Sequence, residues 1–163
     1  DAYLGWFQDD DVTHFLESTN LNKEDVISFI HRGFDTGLYH LYAIIERGTH
    51  RHIGNVKIGD IDKKHGVSGL STLIGEKNVW GRGIGTAAVR IGSMIAFEEL
   101  GIRKLSAGIY GANIGSLKAY TNAGWITEGR LVDHYLVDGK LRDAILVACF
   151  KESFSAITIN WVQ

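Results

Sequence analysis

The chain has 163 residues, of which 45% are apolar and 22% charged, and a formal net charge of −2 at pH 7. That length suits a single domain, 1–163, around one core, and the balance of charge argues against general nucleic-acid binding. No apolar run is long enough to cross a bilayer, and no secretory signal is visible. The single cysteine excludes an internal disulfide; Cys149 sits in the apolar stretch 144–150 and reads as inert core. These features suit a cytoplasmic protein with no membrane or nucleic-acid partner.

Taken in order, Asp9, Asp10 and Asp11 offer capping carboxylates for a short helix through Val12, Phe15 and Leu16. A loop at Ser18-Thr19-Asn20 follows. Asn22 with Asp25 three residues on resembles a capping box, and Val26, Ile27, Ile30 and Phe34 keep helical spacing. Leu38 to Glu46, His52 to Gly59 and Val67 to Ile74 then read as strands. They are joined by a turn at Arg47-Gly48-Thr49 and a charged loop over 60–66, an antiparallel meander.

A helix is predicted from Ile84 to Leu100, with Ile84, Ala88, Ile91 and Ile95 along its apolar stripe, Phe97 and Leu100 extending it, and Gly101 as its cap. Lys104 to Tyr110 is a strand that follows a helix, so it is expected to run parallel to the strand before that helix. Asn113 caps a helix from Ile114 to Asn122, which Gly124 ends, and the last two strands flank a hairpin turn at Asp138-Gly139. The tail after Lys151 is ambiguous. The order predicts an α+β, three-layer fold: a mixed, mostly antiparallel sheet with helices on both faces.

The chemistry concentrates between the third strand and the long helix. Strand, glycine-rich turn and helix form an anion-binding arrangement, because glycines let the backbone approach a ligand and the first helical N–H groups are unpaired. Gly85-Thr86 lacks the lysine of a Walker loop, and Thr86 stands where a Rossmann fingerprint counted from Gly81 needs its last glycine. Trp80-Gly81-Arg82-Gly83-Ile84-Gly85 instead resembles the Q/R-x-x-G-x-G/A acetyl-coenzyme A motif of the GNAT N-acetyltransferases, with Trp80 where Gln or Arg is usual. Asn113-Ile114-Gly115-Ser116-Leu117-Lys118-Ala119-Tyr120, then Ala123-Gly124-Trp125, resembles the N-x-x-A/S-x-x-x-Y…G-F signature of the same superfamily, with Trp125 for Phe. With Gly129-Arg130 and Asp138-Gly139-Lys140…Asp143, the chain looks closest to the branch of ribosomal-protein and amino-sugar acetyltransferases.

The resemblance implies a GNAT fold whose first strand is missing here, acetyl-coenzyme A as cosubstrate, no metal, and direct attack of a neutral amine on the thioester. It implies that the pyrophosphate rests on Gly81, Arg82, Gly83, Ile84, Gly85 and Thr86 beside Trp80. It also implies that the strands at Leu70–Ile74 and Lys104–Tyr110 splay for the pantetheine arm, with Gly108 allowing close approach. N–H groups near Leu73, Ile74 and Gly75 would stabilise the carbonyl oxygen. Tyr120 is the expected proton donor to the thiolate, with Ser116 as runner-up: a phenol near ~10 lies close to the thiol range of about 8–9. Asn113 would bond the pantetheine beside Ala119.

No spacing identifies the base; Glu76, Asp60, Glu46 and His134 are candidates. His50 and His52 alone do not make a metal site, and no Cys/His cluster supports zinc. The acceptor is expected between the N-terminal helices and the late hairpin, contacting Lys57, Glu76, Tyr110 and His134, with Trp6, Phe7, Tyr39 and Tyr135 as further lining aromatics. The acceptor is expected to be a primary amine, either a small-molecule amine such as an amino-sugar nucleotide or a protein N-terminus, and the resemblance of Ile53–Asp62 to amino-sugar members implies the sugar nucleotide. A domain that holds acyl-coenzyme A as a non-catalytic sensor is the other reading, and a homodimer is allowed.

Overall fold

The structure, a computed structural model, describes residues 2–16 and 21–154; the loop at Ser18-Thr19-Asn20 and most of the tail after Lys151 lie outside them. The chain opens with helix α1 (Ala2–Trp6), a turn of helix the sequence did not announce, and α2 (Asp10–Thr13). Asp9 caps α2 by accepting from the Asp11 N–H at 3.0 Å. Helix α3 (Lys23–Thr36) begins in the expected capping box: Asp25 N–H donates to Asn22 Oδ1 at 2.9 Å and Asn22 N–H to Asp25 Oδ2 at 3.0 Å. Phe34, placed on the apolar stripe by its spacing, is 89% exposed, because α3 turns only part of that stripe onto the sheet.

Strands β1 (Tyr39–Ile45), β2 (His52–Gly59) and β3 (Val67–Ile74) form the expected antiparallel meander. Helix α4 (Ile84–Glu98) leads to β4 (Lys104–Tyr110), which pairs parallel with β3. Helix α5 (Ile114–Asn122) leads to the hairpin β5 (Ile126–Val137) and β6 (Lys140–Phe150). Asp138 and Gly139 turn that hairpin at φ 50° and 70°, the left-handed pair that a two-residue turn requires. The six strands lie in the order β1-β2-β3-β4-β6-β5. Inserting β6 between β4 and β5 follows from hairpin pairing on one side and antiparallel pairing to β4 on the other.

Side-chain alternation assigns the two faces. Val56, Ile58, Leu70, Leu105 and Ile109 share the core with Val89, Ala96 and Phe97 of α4 and with Tyr120 and Trp125 of α5 and its following turn. The opposite face carries α1 and α3: Trp6 lies on Gly75, and Tyr39 on Gly33. Helices therefore cover both faces.

The buried stripe of α4 is Ala88, Val89, Gly92, Ser93, Ala96 and Phe97, one position round from the predicted Ile84-Ala88-Ile91-Ile95 line. Hydropathy passes over Gly92 and Ser93, yet these small residues let α4 sit closest to the sheet. Ser93 Oγ donates to the Val89 carbonyl at 2.8 Å and accepts from Trp125 Nε1 at 3.1 Å, so Trp125 does what the usual Phe could not. A Cβ on Gly92 would lie 2.8 Å from Val56 Cγ1 and 2.9 Å from Leu70 Cδ1. Helix propensity alone favours Gly→Ala by about 1 kcal/mol; overpacking costs typically 1–3. Gly92→Ala is thus expected to lower the melting temperature by several degrees in calorimetry, and a rise would show that the sheet yields to α4.

Candidate active site

Strands β3 and β4 are paired only from Val67–Lys104 to Gly69–Ser106. Beyond that point they part, as expected, leaving one edge of Leu70–Ile74 without a strand. Alternation of the backbone decides which groups face the gap. The Gly75 N–H donates to the Ile53 carbonyl at 3.0 Å, toward β2; Leu73, two residues before it, faces the same way. Leu70 and Ile74 face the gap, and their carbonyls accept from side chains instead: Leu70 from the Tyr120 hydroxyl at 2.9 Å, Ile74 from Trp80 Nε1 at 2.9 Å. Of Leu73, Ile74 and Gly75, only Ile74 therefore aims its N–H into the gap; the other two are corrected by strand pairing that the sequence does not display.

The glycine turn follows a 3-10 turn over Lys77–Val79. Val79 is buried, while Trp80 is 45% exposed and reaches back to the end of β3. That bond gives the tryptophan in the Gln/Arg position a role: it ties the loop to the strand. Gly81 and Gly83 adopt φ 74° and 79°, conformations glycine reaches without a Cβ penalty. Gly83 is the N-cap of α4 and provides no side-chain hydrogen bond, so the N–H groups of Ile84, Gly85 and Thr86 lack intrahelical partners. Arg82 is exposed beside them. A Cβ on Gly85 would touch Ala119 Cβ at 3.4 Å, so the start of α4 lies against the second half of α5.

Tyr120 is 3% exposed. Its hydroxyl sits at the apex of the splay, on the first carbonyl beyond the last β3–β4 pair. Burial pushes the phenol well above its ordinary range, partly offset by a hydrogen bond with the Thr72 side chain. Thr72 is a neighbour of the phenol that the sequence reading did not name. Asn113 Oδ1 caps α5 by accepting from the Ser116 N–H at 3.0 Å, and Ser116 lies one turn before Tyr120 on the half-buried side of α5.

The opposite face of the gap is aromatic. Tyr110 stacks on Tyr135 with centroids 3.8 Å apart, and Phe15 lies 5.8 Å from Tyr110. A register shift between Leu131 and Tyr135 re-aims β5, placing the Tyr135 hydroxyl over Gly108. His134 meets Tyr135 edge-on at 4.9 Å, and His14 pairs with Asp138 at 3.6 Å, closing the N-terminal helices against the hairpin. Glu76 accepts from Trp6 Nε1 at 3.4 Å and faces Arg51 at 3.8 Å. Lys77 bridges Asp9 and Asp11, each at 2.8 Å, and its ammonium holds the Asp9 carboxyl below the usual range.

Lys57 is not brought to this region. It pairs with Asp60 at 3.5 Å, lies over the Tyr39 ring at 4.6 Å, and stands opposite Ser71, two residues short of Leu73. Among the other base candidates, Glu46 is engaged by Thr49 and Arg51, which lower its carboxyl. Among the described residues no cluster of three or more His, Cys, Asp or Glu is placed to hold a metal. Burial pushes the Cys149 thiol up to about 11, as suits inert core. No helix among the described residues is long and apolar enough to cross a membrane.

Residues 1–126 match the acetyltransferase (GNAT) domain family. The chain belongs to the GNAT acetyltransferase family. It is 24% identical over 159 residues to an uncharacterized N-acetyltransferase p20 of Bacillus licheniformis, covering 95% of this chain and 89% of that one. It is 29% identical over 110 residues to a probable N-acetyltransferase YjcK of Bacillus subtilis (strain 168), covering 68% and 60%. In fold this GNAT domain is similar to the spermidine N-acetyltransferase of Vibrio cholerae solved with CoA and spermine: TM-score 0.85, 14% identity, 93% of this chain and 89% of that one. It is also similar to the ribosomal-protein-S5-alanine acetyltransferase of Vibrio fischeri: TM-score 0.76, 16% identity, 95% and 90%.

This GNAT is an acetyl-CoA-dependent N-acetyltransferase, and acetyl-CoA is its cosubstrate. The residues suit that cosubstrate: an uncapped helix start behind two left-handed glycines offers N–H groups to a pyrophosphate. The unpaired edge of β3 offers backbone partners to an extended amide arm.

Proposed function

We propose that this GNAT transfers the acetyl group directly to a small primary amine, with Tyr120 as general acid. The observation that carries the reading is the Tyr120 hydroxyl at the apex of the β3–β4 splay, held on the Leu70 carbonyl. The amine nitrogen bonds to the carbonyl carbon and the C–S bond breaks. Tyr120 delivers its proton to the sulfur and is re-protonated from the amine side through water. Desolvation disfavours the charged form of any acid, so a thiolate formed in the same water-poor space is also made more basic. The Ile74 N–H is the donor placed for the carbonyl oxygen; Gly81–Thr86 with Trp80 and Arg82 hold the pyrophosphate, and Asn113, Ser116 and Ala119 flank the arm.

A sugar nucleotide needs free positive groups for its phosphates. Lys57 is paired with Asp60 and Arg130 with Asp143 at 2.6 Å, which weighs toward a small amine. The single, buried cysteine supports a cytoplasmic location, and the apolar side chains of Ile126, Val132 and Leu136 exposed on edge strand β5 support a homodimer. The test is release of free thiol from acetyl-CoA across a panel of amines. Release that depends on the amine is expected; acetyl-CoA binding without release for any amine would establish the sensor reading instead.

A further inference from the structure

Two tyrosine hydroxyls meet the splay at one level, from opposite faces of the sheet. Tyr120 is on the α5 side, and its hydroxyl lies on the Leu70 carbonyl, one residue past Gly69, the last paired residue of β3. Tyr135 is on the other side. A Cβ on Gly108 would lie 3.4 Å from the Tyr135 hydroxyl oxygen, and Gly108 is two residues past Ser106, the last paired residue of β4. Alternation fixes the face: Leu105 and Ile109 enter the core with α4, so Gly108 presents the opposite side. Counted on from the Gly69–Ser106 pair, the two hydroxyls stand within one residue of the same height, about 3.3 Å along a strand.

The two sides differ in access. On the α5 side the ring of Tyr120 is 3% exposed and packs edge-on against Trp125 at 4.8 Å, which closes that side to an amine. On the other side Ser106 and Gly108 are exposed and Tyr135 is half-buried. The open route to the apex of the splay is therefore past Tyr135. Its ring is held by Tyr110, stacked at 3.8 Å, and by His134, edge-on at 4.9 Å. A hydroxyl on a ring fixed in this way meets a reacting group with little further ordering.

Resting on the acetyltransferase reading, we infer that Tyr135 positions the acceptor, its hydroxyl oxygen accepting a hydrogen bond from the attacking amine. The nitrogen lone pair forms the bond to the carbonyl carbon, and the C–S electron pair passes to sulfur, which takes the Tyr120 proton. The nitrogen, positively charged once it has attacked, releases one proton to water and keeps another N–H on Tyr135. A primary amine supplies a proton for each role. Because the nitrogen gains charge on attack, its hydrogen bond to Tyr135 strengthens between the bound state and the transition state.

Tyr135→Phe tests this, since it keeps the stacked ring and removes only the oxygen; a packing role predicts no change. Benzylamine, phenethylamine, agmatine and spermidine are compared by calorimetry with coenzyme A present and by steady-state kinetics. For the amine that the wild type binds best, the substitution should raise Kd by about 3- to 10-fold, the loss of one neutral hydrogen bond. It should lower kcat/KM for that amine further, by about 10- to 100-fold, the loss of one bond to a charged group. The Kd for acetyl-CoA should not move. Thiol release that is unaffected by Tyr135→Phe, or a wild type that binds none of the four amines, would overturn the inference; the first of these leaves the acetyltransferase reading standing. Amine binding that depends on Tyr135 without thiol release from any amine would instead sink the catalytic reading and leave the amine contact in place.

Discussion

Tyr120→Phe is expected to lower kcat by roughly 10²-fold, the lower range for a positioned general acid, with little change in the Kd for acetyl-CoA. The split follows from where the hydroxyl acts: charge builds on sulfur only as the C–S bond breaks, so the phenol stabilises the transition state and not the bound ground state. The same substitution leaves the Leu70 carbonyl without its partner, so stability should fall by about 1–3 kcal/mol as well. A purely structural tyrosine would show the stability loss with normal kcat. If Tyr120→Phe turns over normally while Ser116→Ala is defective, the proton donor is Ser116, one turn earlier on α5.

Gly83→Val should raise the Kd for acetyl-CoA by about 10- to 100-fold, the loss of one hydrogen bond to a charged group, about 1.5–3 kcal/mol. Gly83 sits at φ 79°, and nothing lies within 4 Å of where its Cβ would stand. A β-branched residue there either strains the backbone, at a cost of about 1–3 kcal/mol, or swings the turn away and misaims the first N–H groups of α4. In both cases the proposed pyrophosphate site on these N–H groups is disturbed. Because the space is open, the fold should survive, so circular dichroism stays native while calorimetry reports weakened binding. Unchanged affinity would remove the glycine turn as the pyrophosphate site.

Much of this protein was legible before any coordinates. The Asn22–Asp25 box, the Asp138-Gly139 turn, the meander and the parallel strand after α4 are local or near-local choices. Capping, left-handed φ and strand period depend on residues a few positions apart. The glycine turn and the Asn113-to-Trp125 signature are likewise contiguous. What contiguity could not settle was anything decided by contact across the sheet. The stripe of α4 rotated because Gly92 and Ser93, not the isoleucines, face Val56, Leu70 and Trp125. The N–H of Gly75 was withdrawn from the site by Ile53, a residue 22 positions earlier, and Lys57 was claimed by Asp60 and the Tyr39 ring.

The sequence by itself determined the order of elements after α1, the family and the cosubstrate, because those reside in short patterns whose chemistry needs no distant partner. Only the tertiary structure decided which hydroxyl reaches the splay, which N–H groups remain free in it, and that Asn55 is buried with its amide nitrogen unpartnered. Burial is a property of the packed sheet and its two helical layers. A hydrogen-bond donor becomes informative only when its surroundings have excluded water and left it without a partner.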